Sequence, residues 1–331
     1  MLRLIKWLLF LALLLAVLAA GGIYFYVNQP QPLPAQPFAF SLKQGINLKA
    51  AAHQLQQQGV LANEQVFVSL ARALGKSGQI KAGNYELQTA ISPLELLDIL
   101  TKGKVALSEI SVIEGWTFGQ LRAAMNASLA VRHDSVALSD AEILLRIGAS
   151  EQQAEGLFFP DTYYFASGAS DLALFKRAYQ TMQQRLQEIW QARAPDLPLD
   201  SPYQALILAS IVEKETGQAK DRDMIAGVFT NRLRKGMLLQ TDPTVIYGMG
   251  AKFDGNLRKQ DLLADTPYNT YTRAGLPPTP IALPGLASLK AALHPAKTDA
   301  LYFVGRGDGS SEFSATLTQH NRAVSKYQLG H

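Results

Sequence analysis

The sequence predicts an α+β protein with an N-terminal transmembrane helix, a small α+β module and a larger mixed α+β domain. Three observations carry that prediction. Trp7 to Val27 hold no charge over 21 residues, which as a helix reach roughly 30 Å, the thickness of bilayer hydrocarbon. From Phe38 onward, short apolar runs of strand and helix periodicity alternate between turn-forming residues. Near residue 205 one segment is apolar on every face, as a helix inside a sizeable domain must be.

Taken in order, residues 1–6 carry Arg3 and Lys6, and no charge recurs until Lys43. The positive-inside rule leaves this short N-terminus in the cytoplasm and exports the remainder. Trp7 at one end of the span 7–27, with Tyr24, Phe25 and Tyr26 at the other, suit the two membrane interfaces. A cleavable signal peptide is the rival reading, with Ala16, Ala19 and Ala20 small enough for a cleavage site. Residues 28–37 hold prolines at 30, 32, 34 and 37 and read as an extended spacer.

Residues 38–105 read as the module: a strand at Phe38–Leu42, helices at Leu48–Gln57 and Asn63–Leu74, a strand at Ile80–Leu87, and a helix from Ser92 to Leu100 with Pro93 at its first position. Residues 106–331 open with a strand at Ile110–Ile113 and a helix at Thr117–Ala127. The run from Glu155 to Phe165 puts five aromatics in eight residues around Pro160-Asp161, which suits either a core or a platform for sugar rings. A long helix, Asp171 to about Arg193, reads as scaffold.

Composition narrows the chemistry. There is no cysteine among the 331 residues, so disulfides, thiol nucleophiles, cysteine-bound metals and lipidation at an N-terminal cysteine are excluded. The five histidines are scattered and form no HExxH, which argues against a zinc hydrolase and for no metal or cofactor. A net charge of +4, with Arg232-Leu233-Arg234-Lys235 as the one basic block, reads as a solvated helix end and not as a nucleic-acid surface.

Tyr203 to Thr216 forms the internal helix, with Gly217 as its closing glycine. Its last turn carries Glu213 and Glu215. A spacing of two residues sets them about 200° apart, so they cannot share one site. Glu215 stacks over Leu208, Ile211 and Val212, and Glu213 over Leu206, Ala209 and Ser210. Apolar surroundings and the negative helix end both favour the protonated carboxyl on the Glu215 side, as a general acid requires. Two ordinary solvent-facing charges are the competing reading.

Ala209-Ser210-Ile211-Val212-Glu213-Lys214-Glu215-Thr216 resembles the catalytic helix of the endolytic murein transglycosylase (MltG/YceG-like) family. The likeness extends through Glu155–Tyr163, Asn231-Arg232-Leu233, Leu239-Gln240-Thr241-Asp242-Pro243-Thr244-Val245-Ile246-Tyr247-Gly248, Tyr268-Asn269-Thr270-Tyr271, Gly275-Leu276-Pro277-Pro278, Pro284-Gly285 and Ala291–Lys297. The resemblance implies a LysM-like module at 38–105 and a YceG-like catalytic domain at 106–331. It implies an inner-membrane enzyme with a periplasmic catalytic domain that cuts nascent peptidoglycan strands internally, with peptidoglycan synthases as partners. It also implies that Glu215 is catalytic. Such an enzyme needs one carboxyl, because the MurNAc 6-hydroxyl replaces water as nucleophile and leaves a 1,6-anhydro end.

The helix end also resembles the broader lytic transglycosylases, which commonly carry Ser after the catalytic Glu, and this likeness implies that the Thr216 hydroxyl helps orient the carboxyl. Asp242 reads as an N-cap before Pro243, with a catalytic role as the alternative. Gln240, Thr241, Tyr247, Tyr268, Asn269 and Tyr271 read together as groove walls, amides for acetamido groups and tyrosines for stacking, with a turn or core position as the alternative for each. Pro277-Pro278 and Pro284 suit a rigid rim loop, and His294-Pro295 a turn. Two rival functions stand beside this one: a membrane-tethered peptidoglycan-binding scaffold, and a muramidase pairing Glu215 with Asp242.

Overall fold

A computed structural model describes residues 2–34, 38–43, 45–87, 89–103, 107–166 and 168–329. The protein is mixed α+β and divides into two compact units, 1–108 with 164–168, and 109–163 with 169–331.

In the first unit α1 (Leu2–Asn28) is a continuous helix of 27 residues. Trp7, Phe10, Leu15, Leu18 and Phe25 along it are exposed, whereas Val27 near its end is buried. Side chains at 1–6, 8, 9, 12, 16 and 19 lie outside the description, and among the described residues no helix is long and apolar enough to cross a membrane. The spacer is not wholly extended away from the unit. Gln31 exchanges backbone hydrogen bonds with Ile91, accepts the Ala62 N–H on its side chain, and Leu33 packs on the core. Residues 35–37 of that spacer lie outside the described residues.

β1 (Phe38–Leu42) pairs antiparallel with β2 (Gly83–Leu87), placing Phe38 opposite Leu87. Around them pack α2 (Leu48–Gln57), α3 (Glu64–Ala73) and α4 (Pro93–Lys102). Their starts follow the sequence: Asn47 and Asn63 cap with side-chain oxygens, and Ser92 with Glu95 closes a capping box ahead of Pro93. Period-two burial of Phe40, Leu42, Tyr85 and Leu87 meets Leu55, Phe67, Leu96 and Leu100 in one core. β2 starts later than the expected Ile80 because the Lys81 N–H bonds the Leu100 carbonyl at the end of α4.

The division between units falls within β3 (Leu107–Ser111) and β5 (Thr162–Ala166), which form a two-stranded sheet. β3 ends before the expected Ile113, since the chain turns at Gly115, whose φ is +77°. The second unit then runs through α5 (Phe118–Ala127), β4 (Val131–Arg132), α6 (Asp140–Ile147), β6 (Ala169–Ser170) and α7 (Asp171–Gln191). α8 (Pro202–Glu215), α9 (Arg222–Arg234), α10 (Asp242–Met249), α11 (Lys259–Leu263) and α12 (Leu286–Leu293) follow. β7 (Tyr302–Gly305) and β8 (Ser311–Ser314) form an antiparallel hairpin, and α13 (Leu317–Gln328) closes the chain.

α8 lies at the centre, packed by α7, α9, α10 and α12, with Ala205 to Val212 all buried. The aromatic stripe resolves as core: Leu157, Phe158, Phe159, Tyr163 and Phe165 are buried, and Phe158 stacks on Phe118. The proline-rich segment turns inward after Pro278, which is itself exposed. Ile281, Ala282 and Leu283 are buried, and the Ile281 N–H donates to Ser210 Oγ at 3.0 Å on α8.

Candidate active site

α8 ends at Glu215, and Thr216 leaves it in an extended conformation. Gly217 is therefore no left-handed closing residue. A Cβ there would meet the Gly309 carbonyl oxygen at 2.9 Å, so glycine is needed for close backbone approach. The Thr216 hydroxyl donates to the Val212 carbonyl at 2.6 Å. It finishes the helix and does not orient the Glu215 carboxyl.

The two carboxylates of the last turn diverge as their spacing requires. Glu213 accepts the Gly285 N–H at 2.9 Å, at the start of α12. Glu215 accepts the hydroxyl of Thr241 at the start of α10. Thr241 is the N-cap residue of α10, yet no side chain caps that helix. Asp242 is its first residue and Pro243 its second, so the expected Asp242 cap is displaced by one position. Pro243 carries no N–H, which removes one of the donors a cap would serve. Thr241 is thereby free to turn its hydroxyl to Glu215.

That hydroxyl is firmly held. The Thr241 N–H donates to Thr270 Oγ1 at 3.1 Å, and Thr244 donates from its own hydroxyl to the Thr241 carbonyl at 2.7 Å. Thr241, Thr244 and Thr270 are all buried. Gln240 before them has φ +52°, uncommon for a residue with a side chain, and its N–H bonds the Thr270 carbonyl.

Glu215, Gln240, Asp242 and Tyr271 line a cleft of about 480 Å³, together with Phe229, Arg232, Tyr302 and His320. Asp242 is exposed and accepts the Tyr271 hydroxyl at 2.5 Å. Burial raises the proton affinity of Glu215 above the usual carboxylate range, the Thr241 hydrogen bond opposes this, and the Asp242 charge adds to it. The Tyr271 hydroxyl is also pushed up, by burial and then by Asp242. The site therefore presents a carboxyl that burial biases toward its protonated form, with a second carboxyl in the same cleft.

Other expected wall residues have different work. Asn269 is buried, and its amide nitrogen ties the loop to the carbonyls of Asp261, Leu262 and Ala264 while its oxygen takes the Tyr271 N–H. It positions Tyr271 and leaves no amide for an acetamido group. Tyr247 and Tyr268 pack edge to face at 5.0 Å, and the Tyr247 hydroxyl donates to Glu155 at 3.2 Å. Glu155 is buried and also takes the Phe118 N–H at 3.0 Å; burial pushes its carboxyl up to about 7. Neither Tyr247, Tyr268 nor Glu155 lines the Glu215 cleft.

Arg232 corrects the reading of its segment as solvated. It is buried, and its guanidinium donates to the carbonyls of Leu301, Leu238 and Leu239 and to Gln240 Oε1. It lies 5.1 Å from the Tyr302 ring centroid, and Tyr302 stacks on His320 with centroids 5.2 Å apart. No local pattern marks Tyr302 or His320; Arg232 stands out in the sequence only through an Asn-Arg-Leu motif and a short basic block. Among the described residues no group of three or more His, Asp or Glu side chains is placed to hold a metal ion.

A profile of the YceG-like family matches residues 40–326. The chain is 34% identical over 304 residues to the endolytic murein transglycosylase of Bacillus subtilis (strain 168), covering 87% of this chain and 84% of that protein. It is 27% identical over 353 residues to the endolytic murein transglycosylase of Streptococcus pneumoniae serotype 2 (strain D39), covering 95% of this chain but 63% of that longer relative. Its fold is similar to the crystal structure of a yceG-like protein from Listeria monocytogenes, with a TM-score of 0.53, 28% identity, and coverage of 87% of this chain and 98% of that one. Carrying the Glu215 helix, the Gln-Thr-Asp-Pro-Thr turn and this overall match, the chain belongs to the YceG-like family.

Proposed function

We propose that this protein is an endolytic lytic transglycosylase of peptidoglycan, with Glu215 as its acid and base. The observation that carries the reading is the Glu215 carboxyl, half-buried on an apolar helix end, hydrogen-bonded to Thr241 and open to a cleft. The protonated carboxyl gives its proton to the oxygen bridging MurNAc and GlcNAc as the C1–O bond breaks, and the bonding electrons leave with that oxygen. The MurNAc 6-hydroxyl oxygen then bonds C1, closing the 1,6-anhydro ring and returning its proton to Glu215. One group serves in both directions, as microscopic reversibility permits. Thr241 holds the carboxyl at one angle throughout.

The reading extends to location and organisation. An exposed apolar face on α1 supports anchoring in the inner membrane, with the catalytic unit in the periplasm and synthases within reach. The two-stranded sheet with packed helices in residues 38–105 supports a LysM-like module that holds a glycan strand.

The test is a digest of purified peptidoglycan by the full chain recovered from carbonate-washed membranes, with products read by mass spectrometry. Anhydro-MurNAc ends are expected, and they should vanish in Glu215→Gln, which keeps the shape but has no acid proton. Reducing ends in place of anhydro ends would mean a muramidase, and no cleavage at all a binding scaffold. Recovery of the chain in the soluble wash would overturn the anchor, and an unchanged product-length distribution after deletion of 38–105 the strand-holding role.

A further inference from the structure

The step just described leaves one carboxylate of the cleft without a use. Asp242 stands at the first position of α10, next to Thr241, and lines the same cleft as Glu215. It does not cap α10, which has no side-chain cap. Its side chain is instead fixed by the Tyr271 hydroxyl, and Tyr271 is fixed by Asn269 through its own N–H. Asn269 in turn is buried and bonded to three loop carbonyls. Such a chain of supports is what a group needs if its position matters.

The groups around Glu215 come from four directions. Thr241 and Asp242 come from α10, Tyr271 from the loop before α12, Arg232 from α9, and Tyr302 and His320 from β7 and α13. Arg232 brings a cation, but its guanidinium faces four oxygen acceptors and the Tyr302 ring. Burial and Arg232 push the His320 imidazole down, toward its neutral form. Asp242 is the exposed carboxyl of the set.

We propose that Asp242, fixed by Tyr271, is the second carboxylate of the site. From the wall of the cleft it sets its carboxylate near Glu215 and offsets the positive charge that grows at the anomeric carbon. This rests on the reading of Glu215 as the acid. Asp242 neither gains nor loses a proton, so the reaction balances as written above. Its contribution is electrostatic, made in a cleft that shields it less than bulk water would. It acts through Glu215 and the developing charge, and is a positioning residue in that sense.

The experiment follows the initial rate of anhydro-end formation against pH for the full-length chain and for Asp242→Asn, Asp242→Glu and Tyr271→Phe. Asp242→Asn should lose at least about tenfold in kcat with KM changed less than about twofold. The alkaline limb, where Glu215 must remain protonated, should move toward acid by about one pH unit, the effect of removing one nearby like charge. Asp242→Glu keeps the charge and should keep the limb. Tyr271→Phe frees the carboxylate and should shift the limb in the same direction by less. A wild-type limb and kcat in Asp242→Asn, or a loss confined to KM or thermal stability, would overturn the proposal. Should Asp242→Asn not fold, Tyr271→Phe decides by the same limb. If Glu215→Gln stays active the underlying reading fails, whereas an inactive Glu215→Gln with unaltered Asp242→Asn removes this proposal alone.

Discussion

The last turn of α8 sends two glutamates to the starts of two different helices, where one meets a backbone N–H and the other a side-chain hydroxyl. Glu213 meets the N-terminal end of α12, where the Gly285 N–H donates to it directly. A carboxylate at a helix N-terminus is a favourable, self-sufficient arrangement, because both the N–H and the helix dipole prefer the anion. Glu215 meets the start of α10, but a threonine hydroxyl stands between it and the backbone, and an aspartate occupies the first helical position. That aspartate stands beside Glu215 in an open cleft, whereas the carboxyl near Glu213 is Glu114, packed against Gly285. Identical residues on one helix thus become a structural tie and a reactive acid, according to the first two residues of the helix each one faces.

Thr241 is where this contrast is most easily broken. Thr241→Val keeps the branched shape but removes the donor that fixes the Glu215 carboxyl. Activity should fall about 10²- to 10³-fold, the range for losing one preorganised donor at a reacting group. Thr241→Ser restores the hydroxyl and should recover most of it. Anhydro-end formation under single-turnover conditions checks both. Wild-type rates in Thr241→Val would mean the hydroxyl is merely a neighbour and the two helix starts are not functionally different.

Glu155 sharpens the comparison from another side, since it also has a raised carboxyl but lies outside the cleft. Its partners, the Phe118 N–H and the Tyr247 hydroxyl, are all protein groups, so nothing is left to act on a substrate. Folded Glu155 holds its proton up to about pH 7, whereas the unfolded chain releases it near the ordinary carboxylate value of 4.5. Between those values the native state binds more protons, so stability is full below the unfolded value and is lost as pH rises through the folded one. The loss should total on the order of 2–3 kcal/mol. Denaturation of the wild type and of Glu155→Gln across this window measures it: the slope should flatten in the variant while its cleavage products stay the same. A parallel slope in both would place the titration elsewhere.

What could be read in advance follows the range of the forces involved. α8 was legible because a segment apolar on every face has one place to go, and the divergence of Glu213 and Glu215 is helix geometry alone. The start of α10 was misread by one residue because threonine and aspartate both cap well and proline is tolerated at either of the next two positions. What decided between them was Glu215, 26 residues upstream in sequence. Arg232 looked solvated because the carbonyl that accepts its Nε belongs to Leu301, 69 residues away. The aromatic run around Phe158 was ambiguous until Phe118 and Phe175 closed on it from distant helices. Tyr302 and His320 enter the cleft from a hairpin and a C-terminal helix that carry no local signal of chemistry.

The smallest effect tests the other arm of the contrast. Glu213→Gln leaves an amide oxygen able to accept the Gly285 N–H, but removes the charge from the start of α12. Loss of that interaction should cost about 1 kcal/mol in stability, the usual scale for a charge at a helix N-terminus. Part of this should be recovered nearby, because Glu213 is one of the charges that pushes the Glu114 carboxyl up, after burial. Removing it eases the ionisation of Glu114, so the stability deficit should be smaller above the ordinary carboxylate range than a lone lost contact would give. Cleavage should continue at close to the wild-type rate, since Glu213 points away from the α10 side of the helix. Urea denaturation at two pH values, with product formation measured on the same preparations, separates the contributions. If Glu213→Gln instead abolished anhydro ends while remaining folded, the acid would have to be sought at α12, and the roles assigned to the two glutamates would be exchanged.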